Sequence, residues 1–273
     1  MYMGEHSPRP ELLLGDGQIL DADTAVRPDQ APRVSLDFNT DLSAGTATVR
    51  ASPSVTAVIP AWNEARTIGA VVYAALDARL VDDVVVVDNA STDTTAAVAA
   101  AHGARVVLES TQGKGEAMRT GVAASPHAEV IVFLDADLVG LRPEHVDDLV
   151  GAVLRGDAAM ACGLFDRGPV INRVFLHVLP VLTGQRAVQR ELFELLVAGD
   201  LHGYRVEAAL NSLVAQQGLP RDDRVMSGLW HRTKEEKLAS PVLGHVTKVA
   251  MLASACWSYV RFAVARRIPQ PAG

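Results

Sequence analysis

Between Ser54 and Asp137 the chain alternates short apolar runs with segments of helical periodicity. "SVTAVIPA" reads as a β-branched strand. "NEARTIGAVVYAALDARL" follows it, with Ile68, Val71, Val72, Ala75 and Leu76 at the spacing of one helix face. "VDDVVVVDNA" is a continuous apolar run, the signature of a strand buried on both faces. "STDTTAAVAAAHG" reads as a helix in which Asn89, Ser91 or Thr92 can cap the start and a glycine ends it. "ARVVLES" predicts a third strand, "GKGEAMRTGVAAS" a third helix and "AEVIVFLDAD" a fourth strand. Beyond Asp148, "VDDLVGAVLRG" predicts a helix and "AAMACGLF" a strand. The remainder reads as mostly helical, "TGQRAVQRELFELLVAG" and "GYRVEAALNSLVAQQG" most clearly.

Strands that alternate with helices in this way build a parallel sheet covered on both faces. Such sheets take ligands at the carboxyl ends of their strands. The unusual polar residues of this chain fall there: Pro60 to Glu64, Asp88-Asn89 and Asp135-Ala136-Asp137. If "VIVFLDAD" is strand to its end, Asp135 and Asp137 point to the same side. Two carboxylates so close repel each other unless a cation lies between them. Three regions are expected: a loosely ordered N-terminal extension over 1–50, an α/β core over 51–160, and a largely helical region over 161–273 that belongs to the same domain. In the first of these, acids outnumber Lys and Arg, prolines recur, and "PRVSLDF" is an edge-strand candidate.

Composition narrows the function classes. The chain has 273 residues, 49% of them hydrophobic and 21% charged, which suits a globular protein with a full core. A net charge of −7 argues against nucleic acid as a partner. Cys162 and Cys256 lie far apart and fit neither a metal site nor a disulfide framework. No basic-then-apolar leader is read at the N-terminus, so a cytoplasmic protein is expected. "VAMLASACWSYVRFAVARRI" is broken by Arg261 and is too short in its apolar part to span a bilayer. Its basic end leaves open a membrane-surface contact, beside the plainer reading of a packed helix or a homodimer contact.

Candidate chemistry follows from the strand ends. Asp-x-Asp beside a phosphate suits Mg2+ or Mn2+, hard cations that take carboxylate and phosphate oxygens; the competing reading is a helix cap. "TQGKGEAMRTG" sets glycines around Lys114 just before a helix, an arrangement open to anions, although it lacks the spacing of a Walker A loop. Asp88, with other caps at hand, is available to accept from a base N–H or a ribose hydroxyl. His102 sits at a helix C-terminus, where it serves structure. His231, in "GLWHRTKEEK", is either part of a solvated loop or a third metal ligand in a segment closing over a diphosphate.

Taken in order, "VIPAWNEARTIG", "VVVVDNASTDTT", "GKGEAMRTG", "VIVFLDADL", "TGQRAV", "GYRVEAALN" and "HRTKEEK" resemble the GT-A-fold, family 2-like glycosyltransferases. Within that group the resemblance is to glucosyl-3-phosphoglycerate synthases and dolichyl-phosphate-mannose-synthase-like enzymes. It implies a metal-dependent hexosyltransferase with Mg2+ or Mn2+, a nucleoside-diphosphate sugar donor linked to uridine, and a small-molecule acceptor such as 3-phosphoglycerate or a natural-product intermediate. It implies that Pro60, Ala61 and Glu64 hold the nucleoside, that Asp88 reads the base edge, and that Lys114 contacts the diphosphate. It implies Asp135 and Ala136 beside the ribose or sugar, Asp137 and His231 on the metal, and Gly184, Gln185 and Arg186 in a loop on the acceptor side. Glu207 or Asp200 would contact the sugar or the acceptor hydroxyl. One departure is Arg205, which stands where glucosyl-phosphoglycerate enzymes carry the second glycine of "GYGVE". Three alternatives compete with this reading. A nucleotidyltransferase needs a Gly-rich, Arg-containing signature after the first strand, where this chain reads "PAWNEARTIG". A polyprenyl-phosphate sugar synthase would use the C-terminal segment at a membrane surface. A non-catalytic sugar-nucleotide sensor would not need Lys114, Asp135 and Asp137 intact.

Overall fold

The computed structural model describes residues 53–166, 183–196 and 205–231. The N-terminal extension with "PRVSLDF", the basic C-terminal segment, Cys256 and Asp200 lie outside the described residues. Four parallel strands form the first half of the sheet: β1 (Val55–Ala61), β2 (Asp83–Asp88), β3 (Arg105–Leu108) and β4 (Val130–Phe133). They are linked by α1 (Ile68–Leu76), α2 (Thr95–Ala101) and α3 (Lys114–Ala123). Then come β5 (Leu138–Val139), α4 (Pro143–Leu154), β6 (Met160–Phe165), β7 (Arg186–Gln189), α5 (Arg190–Glu194), α6 (Arg205–Gln216), β8 (Arg221–Met226) and β9 (Trp230–His231). The main sheet runs β3-β2-β1-β4-β7-β6-β8, and β5 pairs with β9 in a separate ribbon.

The mostly parallel α/β sheet is the expected one, and its alternation is visible in the core. Val55, Ala57 and Ile59 of β1 pack with α1 and α4, through Ile68, Val71, Val72, Val146, Leu149 and Val150. Val58, between them, packs with Ala117, Met118 and Val122 of α3 on the other face. That second face continues through Phe133, Leu192, Phe193, Val206 and Leu210, with the Phe133 and Phe193 rings 5.1 Å apart. Each fully buried valine, leucine, isoleucine, phenylalanine or methionine here contributes roughly 1.5–3 kcal/mol.

Three local expectations are corrected. "TGQRAVQRELFELLVAG" is not one helix: its first part is β7, and among its described residues only Arg190–Glu194 coil into α5. Ala187 and Val188 alternate faces between β4 and β6, so burial on both sides outweighs helical spacing. "RDDRVM", with no apolar run to announce it, is edge strand β8, held parallel to β6 by its backbone. The start of α2 is held by Asp93, which accepts from the Thr95 N–H at 2.9 Å and from its hydroxyl, and not by Asn89, Ser91 or Thr92. His102 closes α2 as expected, its Nδ1 2.9 Å from the Val98 carbonyl. Among the described residues, no helix is long and apolar enough to cross a membrane.

Two features of this packing are testable. Gly121 brings α3 down onto the sheet so closely that a Cβ there would collide with the Val58 methyls. Gly121→Ala is expected to lower stability by about 1–3 kcal/mol, read from the urea midpoint, with Val58→Ala recovering part of the loss. At the start of α4, the Nδ1 of buried His145 accepts the Arg142 backbone N–H at 3.3 Å, with the Arg142 guanidinium 2.9 Å from its other nitrogen. Burial and then that guanidinium push the His145 pKa below its ordinary 6.5. The unfolded chain therefore takes up this proton first, and stability present above pH 6.5 drains away as pH falls toward the lower folded value. Thermal melts below pH 6.5 should show a steeper loss for the wild type than for His145→Gln.

Candidate active site

The carboxyl ends of β1, β2 and β4 lie side by side, since Ala61 pairs with Asp88 and Val58 with Phe133. The tertiary fold adds two elements to this edge. β7 runs antiparallel to β4 with Arg186 opposite Phe133, so Thr183, Gly184 and Gln185 enter the sheet beside the segment that leaves β4. The first turn of α6 brings Glu207 to the same place.

Lys114, the first residue of α3, is the hub. Its ammonium donates to Asp135 Oδ1 at 2.8 Å and to Glu207 Oε1 at 2.8 Å. Burial opposes its charge, but the two carboxylates outweigh that penalty and hold its pKa well above the ordinary lysine range. The other oxygen of Asp135 accepts from Gln185 Nε2 at 2.6 Å. Gln185 is itself oriented by the Thr183 hydroxyl at 2.5 Å, which also reaches the Gly163 carbonyl at 2.6 Å. A Cβ on Gly184 would run into the Asp135 carboxylate, so glycine there permits the close approach. Gln185, expected on the acceptor side, also holds Asp135, a contact no local pattern signals.

β4 ends at Phe133, two residues before the first acid. Asp135 and Asp137 stand on the turn between β4 and β5, not on one face of a strand. The cause is the pairing: past Leu134, which still donates to the Val58 carbonyl, the chain leaves β1 to join β9. In that ribbon His231 lies opposite Leu138, the residue after Asp137. Among the described residues no three His, Cys, Asp or Glu side chains gather into a ready-made metal cage. An oxygen-ligated divalent cation does not require one, since one or two carboxylates with substrate phosphates suffice. A turn that carries two carboxylates is therefore chemically suited to Mg2+ or Mn2+.

On the other side of this edge, Asp88 is buried and its Oδ1 has no hydrogen-bond partner among the described residues. Glu207, 3% exposed, leaves its Oε2 in the same condition. Pro60 and Ala61 close β1. Glu64 accepts from the Thr67 hydroxyl at 3.3 Å, and its N–H donates to Thr95 Oγ1 at 2.8 Å. Between them Asn63 holds φ +55°, a left-handed geometry that asparagine tolerates. Its Oδ1 accepts the Thr92 N–H at 2.8 Å, and its own N–H donates to Ser91 Oγ at 3.0 Å. The two expected caps, Ser91 and Thr92, are spent in locking these loops together.

Arg186 departs from expectation. It is the first residue of β7 and fully buried, not in a loop. Its guanidinium donates twice to the Thr183 carbonyl and once, at 3.4 Å, to the Glu207 carbonyl. An unpaired backbone carbonyl in this core would be costly, and Arg186 serves these. Ala136 is buried within the turn.

The sequence model of glycosyl transferase family 2 matches residues 56–213, from β1 to the middle of α6. The chain is 38% identical over 131 residues to a glucosyl-3-phosphoglycerate synthase of Mycolicibacterium paratuberculosis, covering 44% of this chain and 40% of that protein. It is 45% identical over 183 residues to an uncharacterised glycosyltransferase of Mycobacterium bovis, covering 60% of this chain and 81% of that protein. Glucosyl-3-phosphoglycerate synthase from Mycobacterium tuberculosis, solved with Mn2+, UDP-glucose and phosphoglyceric acid, superposes with a TM-score of 0.62 at 27% identity, over 80% of this chain and 81% of that one. The curated glucosyl-3-phosphoglycerate synthases are matched over about 40% of their length. The shared architecture is the GT-A, Rossmann-like fold. Covering both the parallel strands and the helix that carries Glu207, the match shows that this chain belongs to glycosyl transferase family 2.

Proposed function

We propose that this protein is a metal-dependent glycosyltransferase that moves a sugar from a uridine-linked nucleoside-diphosphate sugar onto a small-molecule acceptor, with 3-phosphoglycerate the first to test. One observation carries the reading. Two buried carboxylate oxygens, Asp88 Oδ1 and Glu207 Oε2, lack donors among the described residues, on the same sheet edge that holds Lys114 and the Asp135–Asp137 turn. A buried acceptor left unmet costs about 1–3 kcal/mol. A sugar nucleotide offers a base N–H and hydroxyls for such acceptors and phosphates for the cation. The similar enzyme from Mycobacterium tuberculosis binds UDP-glucose, Mn2+ and phosphoglyceric acid, which supports the same classes of ligand here.

In this reading Asp88 accepts from the base or ribose, and Pro60, Ala61 and Glu64 form the wall behind it. Lys114 has three N–H donors and gives two to Asp135 and Glu207, which leaves one for the diphosphate or the sugar. Glu207 accepts from a hydroxyl of the sugar or acceptor. Asp137, with Asp135 beside it and His231 across the β5–β9 ribbon, would hold Mg2+ or Mn2+. A cation bound there supplies Lewis-acid neutralisation of the leaving diphosphate. Gly184 and Gln185 keep Asp135 in place at the side where the acceptor enters. Membership of family 2 sets aside the nucleotidyltransferase alternative.

The test is a thermal-shift series with UDP-glucose, with and without Mn2+, followed by transfer assays. A donor at about 100 times its Kd should raise the melting temperature by roughly 3–8 °C, and only with the cation present. Asp137→Ala should abolish that dependence together with transfer; normal turnover in the variant would overturn the reading. Lys114 stays protonated across the working range, because its raised pKa keeps the charged form favoured up to and beyond the ordinary 10.5. The profile of kcat/KM against pH should therefore show no alkaline limb from this residue below about pH 10.

A further inference from the structure

We infer that Asn89 is a positioning residue, a side-chain clamp that fixes where Lys114 is delivered. Asn89 follows Asp88 at the end of β2 and is 6% exposed. Its backbone N–H donates to the Ala61 carbonyl at 2.8 Å, anchoring it to β1. Its amide Nδ2 donates to the carbonyls of Glu109 at 3.3 Å and Thr111 at 2.7 Å, and its Oδ1 accepts the Gly113 N–H at 2.7 Å. Those three residues span the connection from β3 to α3, and Lys114 is the next residue. Both amide hydrogens and the carbonyl oxygen are engaged, on backbone groups only. No other short side chain offers two donors and one acceptor at this reach. Asn89 therefore ties the residue before it, whose carboxylate faces the base in the proposed complex, to the lysine whose ammonium must meet both Asp135 and Glu207.

The geometry makes Lys114 sensitive to this clamp. α3 begins at Lys114, and its N-cap residue, Gly113, has no side chain with which to cap the first turn. The entry to the helix is instead held by the Gly113 N–H on Asn89. Without the amide, the 109–113 connection loses three ties to the sheet, and the ammonium loses its fixed approach to two carboxylates from different elements. Displacements of about 1 Å at a reacting site cost up to roughly 100-fold in rate.

The experiment has two arms. In the first, the folded protein without ligand is treated briefly with an amine-acylating reagent, and modification of Lys114 is read by peptide mass spectrometry against the other lysines of the chain, Lys234, Lys237 and Lys248. Asn89→Ala should raise Lys114 labelling several-fold relative to those controls. Asn89→Asp, which keeps the shape and the Gly113 contact but cannot donate to the two carbonyls, should raise it as well; it decides the matter if the alanine variant does not fold. In the second arm, kcat is measured for Asn89→Ala, Lys114→Ala and the double variant. Asn89→Ala alone should lose about 10- to 100-fold, and should add little on the Lys114→Ala background, as residues acting through one group do. A purely structural role would instead lower the melting temperature, leave Lys114 labelling unchanged in the folded protein and combine additively; that result overturns the clamp. The kinetic arm rests on the glycosyl transfer proposed above, whereas labelling does not. An inactive wild type would therefore defeat the proposed function and leave the clamp to be decided by labelling.

Discussion

A lysine held between two carboxylates organises this sheet edge. Lys114, Asp135 and Glu207 come from the start of α3, the turn after β4 and the first turn of α6, and the contacts bridge 21 and 93 residues of sequence. None of the three charges is stable alone in a part-buried site, because removing ions from water costs several kcal/mol apiece. Together they carry one positive and two negative charges, so the cluster is left with a net negative charge and one unmet oxygen on Glu207. An edge so charged suits a cation and hydrogen-bond donors better than a bare anion. For the donor proposed above, a diphosphate accompanied by a divalent ion would match this edge better than a diphosphate alone.

The supports of that cluster come from the sheet. β7 is the antiparallel strand placed between β4 and β6. Its direction places the residues before it, Thr183 to Gln185, beside the residues after β4. A parallel strand in the same slot would present its other end. Arg186 then spends its guanidinium on the carbonyls of Thr183 and Glu207, tying that entry to α6. Gln185 and Gly184 bear on Asp135, and Arg186 on backbone carbonyls, so substitutions at these positions reach the Lys114 cluster indirectly.

Strain is concentrated nearby. Asn63 and Ala90 are the non-glycine residues with positive φ among those described, at +55° and +59°. Each lies just past the carboxyl end of a parallel strand, in the loops between β1 and α1 and between β2 and α2. Ala90 has no side chain able to repay its left-handed geometry, which costs an alanine about 1 kcal/mol or more. The hydrogen bonds of Asn63 with Ser91 and Thr92 and of Asn89 with the 109–113 connection over-determine the two loops and hold this conformation. Rigid loops at strand ends are what a preformed ligand site requires.

The sequence alone determined the sheet's first half. β1 to β4 and the helices between them follow from apolar runs and from a 3.6-residue period, which are written in near neighbours and so survive reading one segment at a time. It also determined that acids gather at strand ends, because only a ligand or a turn explains a carboxylate closing an apolar run. What it could not show was which side chains meet. "TGQRAV" has the spacing of a helix, yet β7 forms because its backbone can pair on both sides. Asp135 and Asp137 read as neighbours on one strand face, yet the pairing of β5 with β9 bends them onto a turn. Asn89 read as a spare cap, and nothing in the sequence tied Gln185 to Asp135. Their actual partners are 24 and 50 residues away, and contacts of that range leave no local periodicity to read. They are chosen by the closing of the whole sheet, where backbone pairing and the need to satisfy each buried charge decide together.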